Sequence, residues 1–460
     1  MANLLYIGGG YVGACSAAAG ADSGHNVLVY DINANLIEKF SSYNNQAIES
    51  VLFEEGLGDL VIRNKSRIKF TIQKEEMKEF IDQADAIFMC LPTPTKNDAG
   101  ESDLSYYRDA AEELAKMLKT RNGGSQEQYV LIVNKSTVPI KMTTMTKDIM
   151  EKHNVVNFGI GSNPEFLVEG QAVLGSIKPQ RVVVGANNEK DFEIFRDIYK
   201  RFYTSPTVSY IEVGPEEAEA GKLLANFILF KRLANCFDVV GRTCEMFPHL
   251  NMENIRKILT SDNRIGDWGF YNSLFAGGSC FIKDAKSLSF QLKEVGANTN
   301  LIDQVLSANE RQLNSFLTRP EKEINYNWTD KKVALLGLSF KRQTNDIRNS
   351  GAVGVAEFLL EKNVKSIYAY DPVAGENFKK HFNNEKIILV NNEEEAMAQS
   401  EVLIIATDWP QFRELSSIIK AKLPKGALIM DGRRMLKDGY DDLMEMGYVI
   451  IAVGSPLIKK

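Results

Sequence analysis

The sequence is short of several things, and each shortage narrows the reading. Only five of its 460 residues are cysteine and only four are histidine. The cysteines (Cys15, Cys90, Cys236, Cys244 and Cys280) are odd in number, scattered and never spaced C-x-x-C. Neither a disulfide framework nor a thiolate zinc site is expected, and they read as reduced thiols of a cytoplasmic protein. The histidines (His25, His153, His249, His381) have no metal-ligand spacing, so no metal is expected. No apolar run approaches the roughly 20 residues of a membrane-spanning helix. Positive charge is not in excess: the net charge is −6, with 44% hydrophobic and 25% charged residues. That is ordinary globular composition, and it argues against a nucleic-acid or membrane partner. The small apolar stretch 4–21 lacks a basic leader and is interrupted by glycines, so it reads as strand, turn and helix rather than as a secretion signal.

What is present alternates. In the N-terminal part, apolar runs at 4–7, 27–30, 86–90, 129–133 and 181–184 read as strands separated by helical stretches such as 106–118. The pattern implies a parallel sheet covered on both faces. From 216 to 245 there is no proline and no strand signal, and Leu223, Leu224, Phe227, Ile228, Phe230, Leu233, Ala234 and Phe237 recur at helical spacing. Further helices are expected over 254–259, 284–294 and 301–316. A polar segment, 321–332, precedes renewed strand signals at 333–337, 367–370, 402–406, 428–430 and 449–453. At both ends the second strand finishes in Tyr-Asp (Tyr30-Asp31, Tyr370-Asp371). The length admits about three domains, divided as 1–213, 214–320 and 321–460: two doubly wound α/β domains around a helical middle, whose long helix serves as connector and subunit interface.

Four segments carry chemistry. Gly8-Gly9-Gly10-Tyr11-Val12-Gly13 has G-x-G-x-x-G spacing, follows a strand, opens a helix, and precedes Asp31 by 18 residues. In that setting Gly8 permits a tight turn, Gly10 admits a pyrophosphate to the helix N-terminus, and Gly13 allows close packing. The Asp31 carboxylate suits a ribose and would repel a 2′-phosphate, favouring NAD over NADP. A glycine turn without a ligand is the plain alternative. In Gly277-Gly278-Ser279-Cys280-Phe281-Ile282-Lys283-Asp284, small residues and a nearby cation suit a nucleophilic thiol, with the glycines admitting a substrate; the residues alone leave a bland buried cysteine equally open. Lys222 and Asn226 share a helix face, although most helical lysines are solvated. Glu165 and Glu169, beside Pro164, suit a site or merely the first turn of a helix.

Together with Thr93-Pro94-Thr95, Ser136-Thr137-Val138-Pro139, Arg264-Ile265-Gly266, the segment 337–348 and Asp431-Gly432-Arg433, these segments in this order resemble the UDP-glucose/GDP-mannose dehydrogenase family. The resemblance implies two Rossmann-like domains, the first binding NAD and the last a nucleotide sugar, joined by a central helical dimerisation domain. It implies a cytoplasmic homodimer or higher oligomer that oxidises UDP-glucose at C6 from alcohol to carboxylate, reducing two NAD, in the service of polysaccharide synthesis. By position, Cys280 forms a thiohemiacetal and then a thioester, Lys222 and Asn226 stabilise oxyanions, and Glu165, Asp284 and Thr137 manage protons and water. NAD contacts are implied for Gly8, Gly10, Tyr11, Val12, Gly13, Asp31, Leu91, Pro92, Thr93, Pro94, Thr95, Ser136, Thr137, Val138, Glu169, Cys280, Lys283 and Arg348. Substrate contacts are implied for Glu165, Phe166, Leu167, Val168, Glu169, Lys222, Asn226, Arg264, Tyr271, Asn272, Ser273, Leu274, Phe275, Ala276, Gly277, Phe340, Lys341 and Arg433, the last toward a neighbouring subunit. Alternatives are the same chemistry on a UDP-N-acetylhexosamine or GDP-mannose, a two-electron hydroxyacid dehydrogenase, and a non-catalytic nucleotide-sugar or NAD-binding protein.

Overall fold

The computed structural model describes residues 1–270 and 273–460. The chain divides into two compact units, Met1–Ala225 with Ser287–Ala297, and Asn226–Lys286 with Asn298–Lys460.

The first unit holds eight strands: β1 (Asn3–Ile7), β2 (Asn26–Tyr30), β3 (Ile68–Thr71), β4 (Ala86–Met89), β5 (Val130–Asn134), β6 (Phe158–Ser162), β7 (Arg181–Gly185) and β8 (Ser209–Val213). Their order is β3-β2-β1-β4-β5-β6-β7-β8. Neighbours run parallel except β6 and β7, which meet antiparallel at Ser162 and Gly185. Alternate residues feed two cores, Leu4, Tyr6, Val27 and Phe88 on one face and Leu5, Ile7, Leu28 and Ile87 on the other. Burial on both faces is why these strands read as continuous apolar runs. The strands absent from the sequence reading have physical excuses. β3 is an edge strand with an exposed lysine, and β8 is an edge strand that is nowhere fully buried. β6 contains Gly159 and Gly161, where a Cβ would run into the Asp191 carboxylate and the Phe195 ring. Space there, not propensity, sets the residue.

The second unit holds β9 (Lys332–Leu336), β10 (Ser366–Tyr370), β11 (Ile387–Leu389), β12 (Val402–Ile405), β13 (Leu428–Asp431) and β14 (Val449–Ala452). They form an all-parallel sheet in the order β11-β10-β9-β12-β13-β14. The expected α/β class with two doubly wound sheets is therefore the observed one.

The central helix, Pro215–Asn235, passes through a wider π turn at Cys236–Gly241 into Arg242–Met246. Leu223, Phe227, Phe230, Ala234 and Phe237 form its buried stripe. Leu224 and Ile228 are 46% and 55% exposed, so the broad apolar face of the sequence is in fact two faces. The helix Asn300–Ile324 runs through Pro320, so the expected boundary at 320–321 falls inside it. The polar residues after Pro320 continue the helix, which ends where Asn325 adopts the left-handed conformation and the Tyr326 amide bonds the Pro320 carbonyl.

Candidate active site

The strand order of the first sheet reverses between β1 and β4, and the loops leaving these two strands flank the crevice such a reversal creates. Gly8 follows β1 with φ of +104°, and a Cβ there would lie 2.2 Å from the Cys90 carbonyl oxygen. A Cβ on Gly13 would lie 1.9 Å from the Gly8 oxygen. Both glycines are thus demanded by packing. Gly10 differs: it caps the helix Tyr11–Asp22 without a side-chain acceptor, and nothing lies within 4 Å of its missing Cβ. The helix N-terminus is open to an anion. Asp31 Oδ2 accepts from the Gly9 amide at 2.6 Å and Oδ1 from the Asn33 amide at 2.8 Å. Ile32 beside it is 84% exposed, and Leu36 is buried under Gly9, so no cation awaits a 2′-phosphate in this turn. The cradle fits NAD.

Two further loops close on each other at the carboxyl ends of β4 and β5. Thr93 Oγ1 donates to the Thr137 carbonyl at 2.8 Å and Ser136 Oγ to the Leu91 carbonyl at 2.6 Å. The sequence motifs containing Leu91 to Thr95 and Ser136 to Val138 are therefore one clamp. The Tyr11 hydroxyl is buried without a hydrogen-bond partner, and burial, with Glu54, Glu165 and Glu169 nearby, pushes its pKa well up.

The turn after β6 presents Glu165, 9% exposed, whose Oε2 accepts the Leu167 amide at 2.5 Å. Its Oε1 lies 3.3 Å from Lys222 Nζ. Lys222 is only 4% exposed, so the bland reading of a solvated helical lysine is corrected. Its stem and charge lie over the Phe166 ring (5.1 Å to the centroid), with the Arg181 guanidinium 4.0 Å from the same centroid. Val168 points outward, 55% exposed.

In the second unit Cys280 stands at the N-terminus of the helix Phe281–Glu294, and its carbonyl accepts the Asp284 amide at 2.8 Å. It is the exposed cysteine; Cys15, Cys90, Cys236 and Cys244 are buried, and none is in a disulfide. Asp284, 1% exposed, accepts from Asn226 Nδ2 at 2.6 Å and from Lys283 Nζ at 2.7 Å. Asn226 is one turn along the central helix from Lys222, so the shared face read from their spacing carries a cation and an amide, each engaged by a different carboxylate.

The glycines before Cys280 are required by the packing of the chain itself. A Cβ on Gly277 would meet the Asn349 carbonyl at 2.1 Å, and one on Gly278 (φ +87°) the Phe340 ring at 2.9 Å. Asn349 Nδ2 donates to the Gly278 carbonyl and the Gly278 amide to the Arg348 carbonyl. Ser273, Leu274 and Ala276 are buried, the Ala276 amide on Asn309 Oδ1 at 2.7 Å. Arg433 donates to Ser273 Oγ at 2.6 Å and lies 2.9 Å from Asp408, which Arg342 also faces at 3.9 Å. Burial pushes the Asp408 carboxyl up, but the two guanidiniums outweigh it and hold the pKa below the usual range. Arg433 is thus engaged within its own chain. Lys341 lies over Phe340, 5.7 Å from its centroid. Arg264 and Arg348 are more peripheral, paired with Asp262 and Asp346 at 2.6 Å with side chains 90% and 66% exposed. Tyr271 and Asn272 lie outside the described residues.

The sequence reading missed three groups, of which Lys135 and Glu54 are buried and Asp408 is half-buried. Lys135 follows β5 and donates to Asn163 Oδ1 at 2.7 Å. Glu54 accepts the Gly170 and Ala172 amides at 2.6 and 2.9 Å, and Asp408 holds the arginines. Only Lys135 left a signal, a lysine directly continuing an all-apolar strand. Among the described residues no cluster of metal-ligating side chains occurs, and no helix is long and apolar enough to cross a membrane.

Three models of the UDP-glucose/GDP-mannose dehydrogenase family match the chain: the NAD binding domain at residues 2–203, the central domain at 216–311 and the UDP binding domain at 334–438. A UDP-glucose 6-dehydrogenase of Rickettsia felis is 30% identical over 458 residues, covering 99% of this chain and 97% of the relative. The UDP-glucose 6-dehydrogenase TuaD of Bacillus subtilis is 29% identical over 467 residues, covering 100% and 94%. Among solved structures, a UDP-glucose dehydrogenase from Pyrobaculum islandicum superposes with a TM-score of 0.84 at 29% identity, over 95% of each chain.

Proposed function

This chain belongs to the UDP-glucose/GDP-mannose dehydrogenase family and is an NAD-dependent oxidoreductase with a nucleotide-sugar-binding domain, and from that premise we propose that it oxidises UDP-glucose to UDP-glucuronate at C6. The observation that carries the reading is the exposed Cys280 at a helix N-terminus, set against four buried cysteines. Bound NAD supplies a two-electron acceptor, needed twice for each sugar. The chain's own residues do the rest. The Cys280 sulfur adds to the C6 aldehyde, its proton passing to the carbonyl oxygen, and gives a thiohemiacetal that again carries a hydride. Oxidation of that adduct leaves a thioester, and water cleaves the carbon–sulfur bond, returning the thiol and releasing the carboxylate. The positive end of the helix Phe281–Glu294 favours the thiolate.

Lys222 and Asn226 offer the donors an oxyanion at C6 requires. Glu165 and Asp284 hold the protons that must move, and Thr137 orients the hydrolytic water. The glycine loop, Asp31, the paired loops after β4 and β5, Glu169, Lys283 and Arg348 serve NAD. The turn 165–169, Arg264, the loop 271–277, Phe340, Lys341 and Arg433 serve the nucleotide sugar. UDP-glucose is favoured over other nucleotide sugars because relatives near 30% identity along the full length carry that name. A three-part division, a cytoplasmic location, a role in polysaccharide synthesis and a homodimer belong to the same reading. The exposed Leu224 and Ile228, one turn apart on the central helix, support the dimer.

The test is stoichiometry with a screen. Wild-type enzyme should release two NADH per UDP-glucose, and UDP-glucose should have the highest kcat/KM among UDP-glucose, UDP-galactose, UDP-N-acetylglucosamine and GDP-mannose. Cys280→Ala should lose at least about 10³-fold in net acid formation while binding NAD and nucleotide sugar as before. One NADH per sugar, or full turnover by Cys280→Ala, overturns the thioester mechanism. A higher kcat/KM for GDP-mannose overturns the substrate.

A further inference from the structure

The interior of the first unit contains a lysine that the chemistry above leaves unused. Lys135 continues β5, whose five residues are all buried, and is itself 7% exposed. Its ammonium makes no ion pair among the described residues; its acceptor is the neutral Asn163 Oδ1 at 2.7 Å. Burying a cation against a carboxamide is costly, so the position calls for a reason.

Asn163 supplies one. Besides Lys135, its Oδ1 accepts the Tyr199 hydroxyl at 2.5 Å, its Nδ2 donates to the Val183 carbonyl at 2.7 Å, and its amide bonds the Asn134 carbonyl at 2.9 Å. The residue is held at three of its polar atoms, and two positions later comes Glu165, in contact with Lys222. A shift of Lys135 therefore reaches Glu165 through one fixed side chain and the rigid Pro164. On the dehydrogenase reading proposed above, we infer that Lys135 is a positioning residue: through Asn163 it fixes the turn that carries Glu165, and its buried charge adds to that of Lys222 beside that turn.

Four titratable groups face Lys135: Cys90 from the end of β4, Tyr199 from beyond the helix Glu189–Ile198, Glu165 from the turn after β6, and Lys222 from the central helix. Burial brings Lys135 down to about 8; the Glu165 carboxylate opposes this and Lys222 adds to it. Burial also pushes the Cys90 thiol up to about 12 and the Tyr199 phenol well above its usual value, so neither changes charge where Lys135 does. The amine can donate to Asn163 in either protonation state. Above pH 8 the loss is of charge rather than of the hydrogen bond.

The experiment compares full-length wild type, K135Q and K135R. Wild-type kcat should fall along an alkaline limb near pH 8. K135Q should lose that limb and about 10-fold in kcat at neutral pH, less than the roughly 100-fold that an ångström of misplacement costs. Its KM for NAD should stay within about twofold. K135R, whose charge persists, should recover most of kcat without a limb near pH 8. Carbon NMR of ε-labelled lysine in substrate-free wild type should show one lysine titrating near 8 that is missing from K135R. The inference is overturned if K135Q keeps wild-type kcat, if it loses the same factor at every pH with the limb intact, or if no lysine titrates below about 9.5. A wild type that makes no NADH from any nucleotide sugar overturns the dehydrogenase reading, and the NMR titration then still decides the state of Lys135.

Discussion

Asp31 and Asp371 occupy equivalent places, each at the end of the second strand of its sheet, and the difference between them lies in what their oxygens touch. Asp31 is partly exposed and takes two amides, those of Gly9 and Asn33. Asp371 is 7% exposed and accepts from the amides of Leu338, Ser339, Val373 and Ala374, the Ser339 hydroxyl and the Trp409 indole. Saturated in that way it has no capacity for a ribose, whereas Asp31 retains lone pairs. Asp31→Ala should therefore weaken NAD binding by about 10-fold, the low end of what losing hydrogen bonds to an ionised group costs. It should also narrow the preference for NAD over NADP, read as the ratio of kcat/KM values. An unchanged ratio would mean that the carboxylate does not meet the ribose.

The central helix is the element on which most depends, and its residues divide by neighbour. Glu219 is 2% exposed and accepts the amides of Lys141 and Thr143, tying this helix to the start of the helix Met142–Lys152. Burial raises its pKa, and the bonds to Thr143 and Lys141 only partly offset that. Lys222 and Asn226 follow on the same side, and Gly221, just before Lys222, is exposed with nothing within 4 Å of its missing Cβ. A helical glycine with free space costs stability for no packing return. Gly221→Ala should raise stability by about 0.5–1 kcal/mol, seen as a higher unfolding midpoint, with NADH release unchanged. A lower midpoint would show that the position needs glycine for a reason beyond this chain's own packing.

Across the whole molecule, acid stability is set partly by a histidine far from any chemistry. His25 is 5% exposed; Nδ1 accepts the Ala2 amide at 3.1 Å and Nε2–H donates to the Ile198 carbonyl at 2.9 Å. Both nitrogens are committed to the neutral ring, and burial lowers its pKa below the ordinary 6.5. As pH falls through 6.5 the unfolded chain takes up a proton that the folded chain refuses, so the unfolded state gains. Stability should decline from pH 6.5 downward and the histidine's share should level off below its folded pKa. His25→Gln should show a shallower decline between pH 6.5 and 5 in unfolding midpoints taken against pH. Equal slopes for the two proteins would assign the whole acid limb to carboxylates.

The sequence by itself determined the two doubly wound sheets, the helical middle, the glycine turn that opens the first helix and the thiol segment. These are written in neighbouring residues: apolar runs buried on both faces, helical spacing from Leu223 to Phe237, and glycines at fixed offsets from a strand. It left β6 illegible, because the two glycines that blunt its pattern answer to Asp191 and Phe195. Tertiary structure alone decided the partners. Lys222 is an ordinary helical lysine until Glu165 lies 3.3 Å away, and Asn226 and Asp284 meet at 2.6 Å although 58 residues separate them. Closure of the chain also decided that Gly277 and Gly278 are filled by Asn349 and Phe340, and that Lys135 lies beside Asn163 rather than in water. Periodicity reports which side of an element is buried; which charge meets which is fixed by contacts between distant segments, and no local pattern encodes them.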